Sequence, residues 1–299
     1  MLHASTTPAS KRVALRARLA TGQILVLPGA FNPLSAMLIE RHGFEAAYLS
    51  GAVLSADLGL PDVGLTSVSE VALRAGQVAR VTNVPLLVDA DTGFGEPMNV
   101  ARSVQLLEDA GVAAMHLEDQ VNPKRCGHLD GKQVVDRETA VRRLRAAVEA
   151  RRDGDLMIIA RTDARATDSL EEAVVRAKAY VDAGADAIFA EALLDESEFT
   201  VMRAAIDVPL LANVTEFGKG DAFDVATLAA LGVDMVIFPV SLLRLAMGAA
   251  DRGLATLTRE GSLSGVLGEM QTRAQLYDLL DYSQYRIFDD NVFNFDVPS

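Results

Sequence analysis

The chain has 299 residues, 50% of them hydrophobic and 23% charged. That excludes a disordered chain, which would carry fewer apolar residues for its charge. The formal net charge of −13 argues against a nucleic-acid-binding surface and against attachment to anionic membranes. If the substrate is an anion, positive charge must be gathered locally. The length suits two domains or one large barrel. One cysteine, Cys126, cannot make an intramolecular disulfide. Residues 1–20 lack the apolar core of a signal peptide. No run approaches the ~18–20 apolar residues of a membrane span, and the most apolar region, 235–250, is broken by Arg244. A cytoplasmic protein is expected, with no nucleic-acid or membrane partner.

In chain order, strands are predicted at ILVLPG (24–29), AAYLSG (46–51), PLLVDAD (85–91), AAMHLED (113–119), LMIIARTD (156–163), AIFAEA (187–192), VPLLANV (208–214) and MVIFPV (235–240). Each is short and nearly uninterrupted in Val, Ile or Leu, as befits parallel strands covered on both faces. Helix-like segments lie between them, at 99–110, 138–151, 169–183 and 222–231, several closing on Ala-Gly or Leu-Gly. Eight such units predict an α/β fold, a (β/α)8 barrel. A doubly wound sheet is the alternative, but no Gly-x-Gly-x-x-Gly follows the first strand. The tail, 258–299, is helical and then aromatic, and no Pro/Ser-rich linker interrupts the chain. One domain over 1–299 is expected, with 258–299 as its extension.

Polar residues gather where these strands end: Asp89 and Asp91, His116 to Asp119, Arg161 to Asp163, Glu191, and Asn213 to Thr215. In a barrel, that end is the active-site face. Asp89 and Asp91, two apart, would point to one side of a strand, and Glu118 can join them from the next. Three carboxylates together suit a hard cation such as Mg²⁺; helix capping or pairing with Arg161 is the bland alternative. Cys126 lies in a polar loop with Lys124, Arg125 and His128, neighbours that favour thiolate. It could be nucleophile, general acid or general base. Arg161 and Arg244 stand at or near strand ends five and eight, and Arg273 in the tail. A guanidinium binds a carboxylate through two parallel hydrogen bonds, so the first two could form a small cationic pocket. No lysine falls at a strand end, which weakens a Schiff-base aldolase. His116, in mid-strand, reads as a packing or supporting residue rather than a ligand.

The segments Tyr48-Leu49-Ser50-Gly51, Leu58 to Asp62, Val88 to Gly95, Leu117 to Gln120, Lys124-Arg125-Cys126-Gly127-His128, Ala160 to Asp163, Ala212 to Gly218 and Met270 to Arg273 together resemble the isocitrate lyase and phosphoenolpyruvate mutase superfamily. The match runs over nearly the whole chain. The resemblance implies a barrel that swaps a C-terminal helix with a neighbour, usually in homotetramers. It implies a retro-aldol cleavage of the tricarboxylate 2-methylisocitrate to pyruvate and succinate, in the methylcitrate cycle of propionate catabolism. By the same resemblance Mg²⁺, or Mn²⁺ in its stead, is held by Asp89 and Asp91, with Glu118 in the same shell. The pyruvate half is expected on Ser50, the backbone of Gly51 and Ala52, and Arg161. The succinate half is expected on Gly127, His128, Glu191, Asn213, Val214, Thr215 and Arg244, with Arg273 carried over. Cys126 would protonate the departing succinate, and Tyr48 is a candidate base. Asp62 and Lys124 are supporting residues. Phe189 and Ile237 form a pocket wall smaller than that of isocitrate lyase, which leaves room for the extra methyl. Ala52-Val53, Leu129 and Ala190 depart from the family pattern. Other readings are a 2,3-dimethylmalate lyase, isocitrate cleavage as a side activity, an oxaloacetate decarboxylase, or a non-catalytic dicarboxylate-binding barrel.

Overall fold

The computed structural model describes residues 4–125, 131–218 and 223–294. Its strands are β1 (Leu25–Pro28), β2 (Ala47–Leu49), β3 (Leu86–Asp89), β4 (Ala114–Glu118), β5 (Met157–Thr162), β6 (Ala187–Ala190), β7 (Leu210–Asn213) and β8 (Met235–Phe238). Each lies inside one of the eight apolar runs, trimmed at its polar end. The reason is local: Asp91 and Ala192 take φ of 45° and 62°, left-handed values that end extended pairing.

All neighbours pair in parallel, in the order β1-β8-β7-β6-β5-β4-β3-β2. The ends of that order meet through a bridge between Gly29 and Tyr48. The Ala30 N–H also donates to the Tyr48 carbonyl at 2.8 Å. The sheet thus curls on itself into the expected (β/α)8 barrel. Gly29 is required at the seam, because a Cβ there would stand 2.0 Å from the Pro239 carbonyl oxygen.

The helices are α1 (Pro8–Leu19), α2 (Pro33–Arg41), α3 (Gly51–Asp57), α4 (Val68–Ala79), α5 (Pro97–Asp109), α6 (Arg137–Ala150), α7 (Ala164–Thr167), α8 (Leu170–Asp182), α9 (Glu196–Ala205), α10 (Val225–Ala230), α11 (Ser241–Glu260), α12 (Arg273–Leu279) and α13 (Tyr282–Phe293). Many of their boundaries follow from capping chemistry. Pro97 opens α5, and Asp136, Asp195 and Asp224 accept backbone N–H bonds at the starts of α6, α9 and α10. The cap at Asp224 is why α10 starts later than the periodicity predicts.

Two apolar layers result. One fills the barrel, with Leu25, Leu27, Leu87, Ile159, Leu211 and Met235, and takes in Leu15 and Leu19 of α1. The other packs helices such as α4, α5 and α8 on the outside of the sheet. Helix α1 closes the end where the strands begin: Lys11 Nζ donates to the Ala79 carbonyl at 2.7 Å and Arg12 Nε to that of Val112 at 2.9 Å. Function is therefore confined to the end where the strands finish. After α11, a 3₁₀ turn (Ser264–Glu269) leads into α12 and α13, which leave Tyr277, Tyr282, Ile287, Phe288 and Phe293 exposed. Among the described residues no helix is long and apolar enough to cross a membrane.

Candidate active site

Strand ends and loops from β2 to the start of α11 surround a cavity of about 300 Å³. Its wall includes Lys124, Arg125, Arg161 and Arg244, against Asp62, Asp89, Glu191 and Glu216. On a chain of net charge −13 this is the local balance an anionic substrate requires.

The β3–β6 side is a buried charge network. Asp89, closing β3, accepts from the Gly51 N–H at 3.1 Å and from the Asp91 N–H at 3.0 Å. Gly51 is needed here too: a Cβ would lie 3.0 Å from Asp89 Oδ2 and 3.1 Å from Asp91 Oδ1. The two carboxylates do face the same place, but through a left-handed turn at Asp91 and not through strand alternation. Lys124 Nζ stands 2.8 Å from Asp91 Oδ1 and also pairs with Asp62. Burial and the neighbouring Asp89 push the Asp91 carboxyl up to about 7, with Lys124 opposing. Burial works against Asp89 as well, but His116, Lys124 and Arg161 outweigh it and hold that carboxyl at about 2.

His116 is fully buried behind Asp89, its Nε2 2.7 Å from the Tyr48 hydroxyl and its Nδ1 3.7 Å from Asp89 Oδ1. Burial lowers the imidazole to about 4, so it is neutral at neutral pH. Burial, then Asp89, raises the Tyr48 phenol well above its ordinary value. Tyr48 is therefore protonated at neutral pH, and its hydroxyl shares one hydrogen bond with His116 Nε2. His116 is buried in mid-strand between Tyr48 and Asp89, a place that suits either a packing or a supporting residue.

Arg161 is 7% exposed and already carries three carboxylates. Its Nε and Nη2 pair with Asp163 at 3.0 and 3.2 Å. Its Nη1 stands 3.3 Å from Glu118, and its Nη2 3.7 Å from Glu191. The guanidinium lies 5.1 Å over the Phe189 ring. Lys132 reinforces Asp163 at 2.7 Å, and Asp119 braces the same segment, accepting from the Thr162 hydroxyl and the Asp163 N–H. Arg161 lines the cavity as expected, yet its bidentate edge is taken.

On the β7–β8 side, Asn213 Nδ2 lies 3.4 Å from both Glu191 oxygens, and Ile237 forms part of the wall. Arg244, in the first turn of α11, reaches Thr215, Glu216 and the face of Phe217. Ser50 and Ala52 line the cavity beside Asp89. Ser50 is the N-cap of α3 and not the end of β2. The Val214 N–H is spent on the Ile237 carbonyl at 3.0 Å. Arg273 begins α12 and is exposed, away from the cavity of its own chain. Cys126, Gly127 and His128 lie outside the described residues; the loop enters them from Arg125, whose N–H and carbonyl bond the Gln120 amide at 2.9 Å each. Arg125, noted as a neighbour of Cys126, lines the cavity, and Glu216, Phe217, Pro239 and Val240 line it without having been singled out. Only Glu216 and Phe217 carried a signal, as part of the segment ending at Gly218.

Among the described residues, no three acidic or imidazole groups form a ready metal cluster, because Lys124 and Arg161 stand among the carboxylates. The donor set nevertheless fits a divalent cation. Glu118 Oε1 is buried with no hydrogen-bond partner among the described residues. Burial raises the Glu118 carboxyl well above its ordinary value, against the pull of Arg161. Packed carboxylates under that electrostatic pressure are what a hard ion relieves.

Fold and mouth together define a barrel enzyme that handles small carboxylic acids. The family described as phosphoenolpyruvate phosphomutase matches residues 15–258. Two probable 2-methylisocitrate lyases of Corynebacterium glutamicum are similar along the chain. One is 53% identical, covering all of this chain and 97% of its own; the other is 56% identical, covering 95% and 94%. Among solved structures, 2,3-dimethylmalate lyase aligns with a TM-score of 0.89 at 35% identity, covering 98% of this chain and 99% of that one. Phosphonopyruvate hydrolase in complex with oxalate and Mg²⁺ aligns at 0.86 and 32%, covering 95% and 99%. The chain belongs to the phosphoenolpyruvate mutase/isocitrate lyase superfamily.

Proposed function

We propose that this chain cleaves 2-methylisocitrate between C2 and C3 into pyruvate and succinate, as a carbon–carbon lyase of the methylcitrate cycle. One observation carries the reading beyond the family: a cavity with a buried carboxylate centre at Asp89 and Asp91 on one side and an open arginine, Arg244, on the other. A tricarboxylate can span those two places.

Cleavage needs three things. The 2-hydroxyl gives up its proton, the C2–C3 electron pair leaves with C3, and a proton is returned to C3 of the succinate half. The pyruvate half would rest on Ser50, the N-terminal backbone of α3 and the Arg161 wall. The succinate half would reach Asn213, Thr215, Glu191 and Arg244. Mg²⁺, held by Asp89 and Asp91 with Glu118 behind them, would supply positive charge beside the hydroxyl and keto oxygens of the pyruvate half. Tyr48 and His116, both neutral, would fix the orientation of Asp89. Cys126 would protonate C3; its support is a loop that leaves the cavity wall at Arg125. Phe189 and Ile237, both 1% exposed, would bound the space for the substrate methyl.

The exposed apolar faces of α12 and α13 support a homotetramer that exchanges its C-terminal helices, and a cytoplasmic location fits the proposed pathway. The test is release of the 2-oxo acid, pyruvate from 2-methylisocitrate, 2,3-dimethylmalate and oxaloacetate and glyoxylate from isocitrate, with and without chelator. 2-Methylisocitrate is expected to be preferred, with turnover lost on chelation. A preference for another acid would overturn the substrate, and turnover untouched by chelation would overturn the metal. Cys126→Ser is expected to lower kcat about 100-fold or more while KM changes little; an unchanged kcat would remove the donor role.

A further inference from the structure

We propose that Glu216 is a positioning residue, which holds Arg244 so that one whole edge of its guanidinium faces the far carboxylate of the substrate. The inference rests on the reading of Arg244 as a carboxylate-binding group.

Among the described residues, every side-chain hydrogen bond that Arg244 makes uses Nη1. It reaches the Glu216 carbonyl at 2.6 Å, Glu216 Oε2 at 3.1 Å and Thr215 Oγ1 at 3.4 Å. Nε and Nη2 make none among the described residues. That free edge is the one that receives carboxylates elsewhere in this chain, as Arg165 does with Glu198 and Arg161 with Asp163. A side-on pair of this kind is the strongest and most directional carboxylate contact available to arginine.

Glu216 is itself tied down from the far side, where the Ser241 hydroxyl donates to Oε1. Ser241 and Arg244 share the first turn of α11, so Glu216 bridges the β7 loop to that helix and fixes the rotation of the arginine. Burial opposes its charge, but the bonds from Ser241 and Arg244 keep the carboxyl below its usual range. Phe217 completes the holder. Its ring lies 5.4 Å from the guanidinium carbon. The residue is 93% exposed and sits at φ 65°, a conformation that costs a bulky side chain energy. A cation–π contact at the cavity rim gives that placement a purpose.

The rival account is that Glu216 competes with the substrate for Arg244. The geometry disfavours it, because Glu216 occupies Nη1 and leaves the opposite edge clear.

The test compares Glu216→Ala, Arg244→Ala, the double variant and Glu216→Gln in steady-state cleavage of 2-methylisocitrate, with circular dichroism as the check on folding. Glu216→Ala is expected to raise KM about tenfold with kcat within about twofold, a loss of ground-state and transition-state binding alike. Arg244→Ala is expected to raise KM further, and the second substitution to add under about twofold in that background, as for residues acting through one group. Glu216→Gln keeps an oxygen for Arg244 and is expected to restore KM to within about threefold of the parent. If Arg244→Ala raises KM while Glu216→Ala leaves it unchanged, lowers it, or adds fully, the positioning role is overturned and Arg244 keeps its own. If Arg244→Ala leaves KM unchanged, the carboxylate-binding reading fails, and this inference with it.

Discussion

Arg161 and Arg244 line one cavity under opposite physical conditions. Arg161 is 7% exposed and surrounded by Asp163, Glu118 and Glu191. Arg244 has a side chain 44% exposed and, among the described residues, a single carboxylate partner, Glu216. Burial explains the difference. A guanidinium held away from water must be matched by anions that cannot leave, so its hydrogen-bonding edge is spent on the protein. A guanidinium at the rim is solvated by water, so an edge can stay open until a ligand displaces that water. One arginine is part of the framework that holds the carboxylate centre together; the other keeps one edge of its guanidinium unspent on the described residues.

The largest effect should come from breaking the buried half. Arg161→Ala leaves three carboxylates without their shared cation, and a loss of about 3–5 kcal/mol is expected, read from the urea midpoint at constant m-value. A loss below about 1 kcal/mol would show that Lys124 and Lys132 suffice to neutralise the centre. Next comes the divalent ion. Saturating Mg²⁺ should stabilise the fold by about 2.7 kcal/mol at a hundredfold excess over Kd, seen as a rise in Tm that disappears in Asp89→Asn. An equal rise in the variant would place the ion elsewhere.

The buried half was also the more legible half in the sequence. All eight strands announced themselves as runs of Val, Ile and Leu, because a barrel strand is covered on both faces and needs no alternation. Asp89, Glu118 and Arg161 were readable as strand ends. Two things were hidden there. Asp91 reaches its place through a left-handed turn that no periodicity encodes. The bidentate pairing of Arg161 with Asp163 depends on rotamers, although both residues stood within one quoted motif. At the rim Thr215 and Arg244 were readable as candidate site residues, but their contacts were not. Glu216, in the loop after β7, meets Ser241 and Arg244 of α11, 25 and 28 residues away, and no local pattern specifies a contact of that kind. Arg273, carried over by resemblance, sits exposed at the start of a helix that is ion-paired to α2 through Arg41 and Asp278, and it is not on the cavity wall.

Smaller substitutions sharpen the contrast. Gly51→Ala puts a methyl 3.0 Å from Asp89 Oδ2 and 3.1 Å from Asp91 Oδ1. A cost of about 1–3 kcal/mol is expected from this overpacking, together with weaker Mg²⁺ binding by calorimetry; unchanged metal affinity would mean that the carboxylates can retreat. Arg244→Ala, by contrast, should leave stability within about 0.5 kcal/mol, as exposed ion pairs do. A larger loss would show that the rim arginine holds the fold as Arg161 does.

The smallest effect lies outside both halves, at the helix caps. Asp136 and Asp224 accept N–H bonds that lower their carboxyls below the ordinary value, and Asp195 is lowered by the Ser197 hydroxyl and then by N–H bonds. A carboxyl lowered in the folded state binds fewer protons than in the unfolded chain, so it contributes stability above its unfolded pKa of about 3.9. That contribution is lost as the pH falls through the lower folded value. Asn accepts the same N–H bond without titrating. Replacing all three by Asn should therefore flatten the acid limb of Tm against pH below about 4, leaving the neutral plateau nearly intact. An acid limb as steep as that of the parent would assign acid sensitivity to the buried network around Asp163, whose carboxyl is held low against burial by Arg161 and Lys132. The titration would then report on the same matched charges that set Arg161 apart from Arg244.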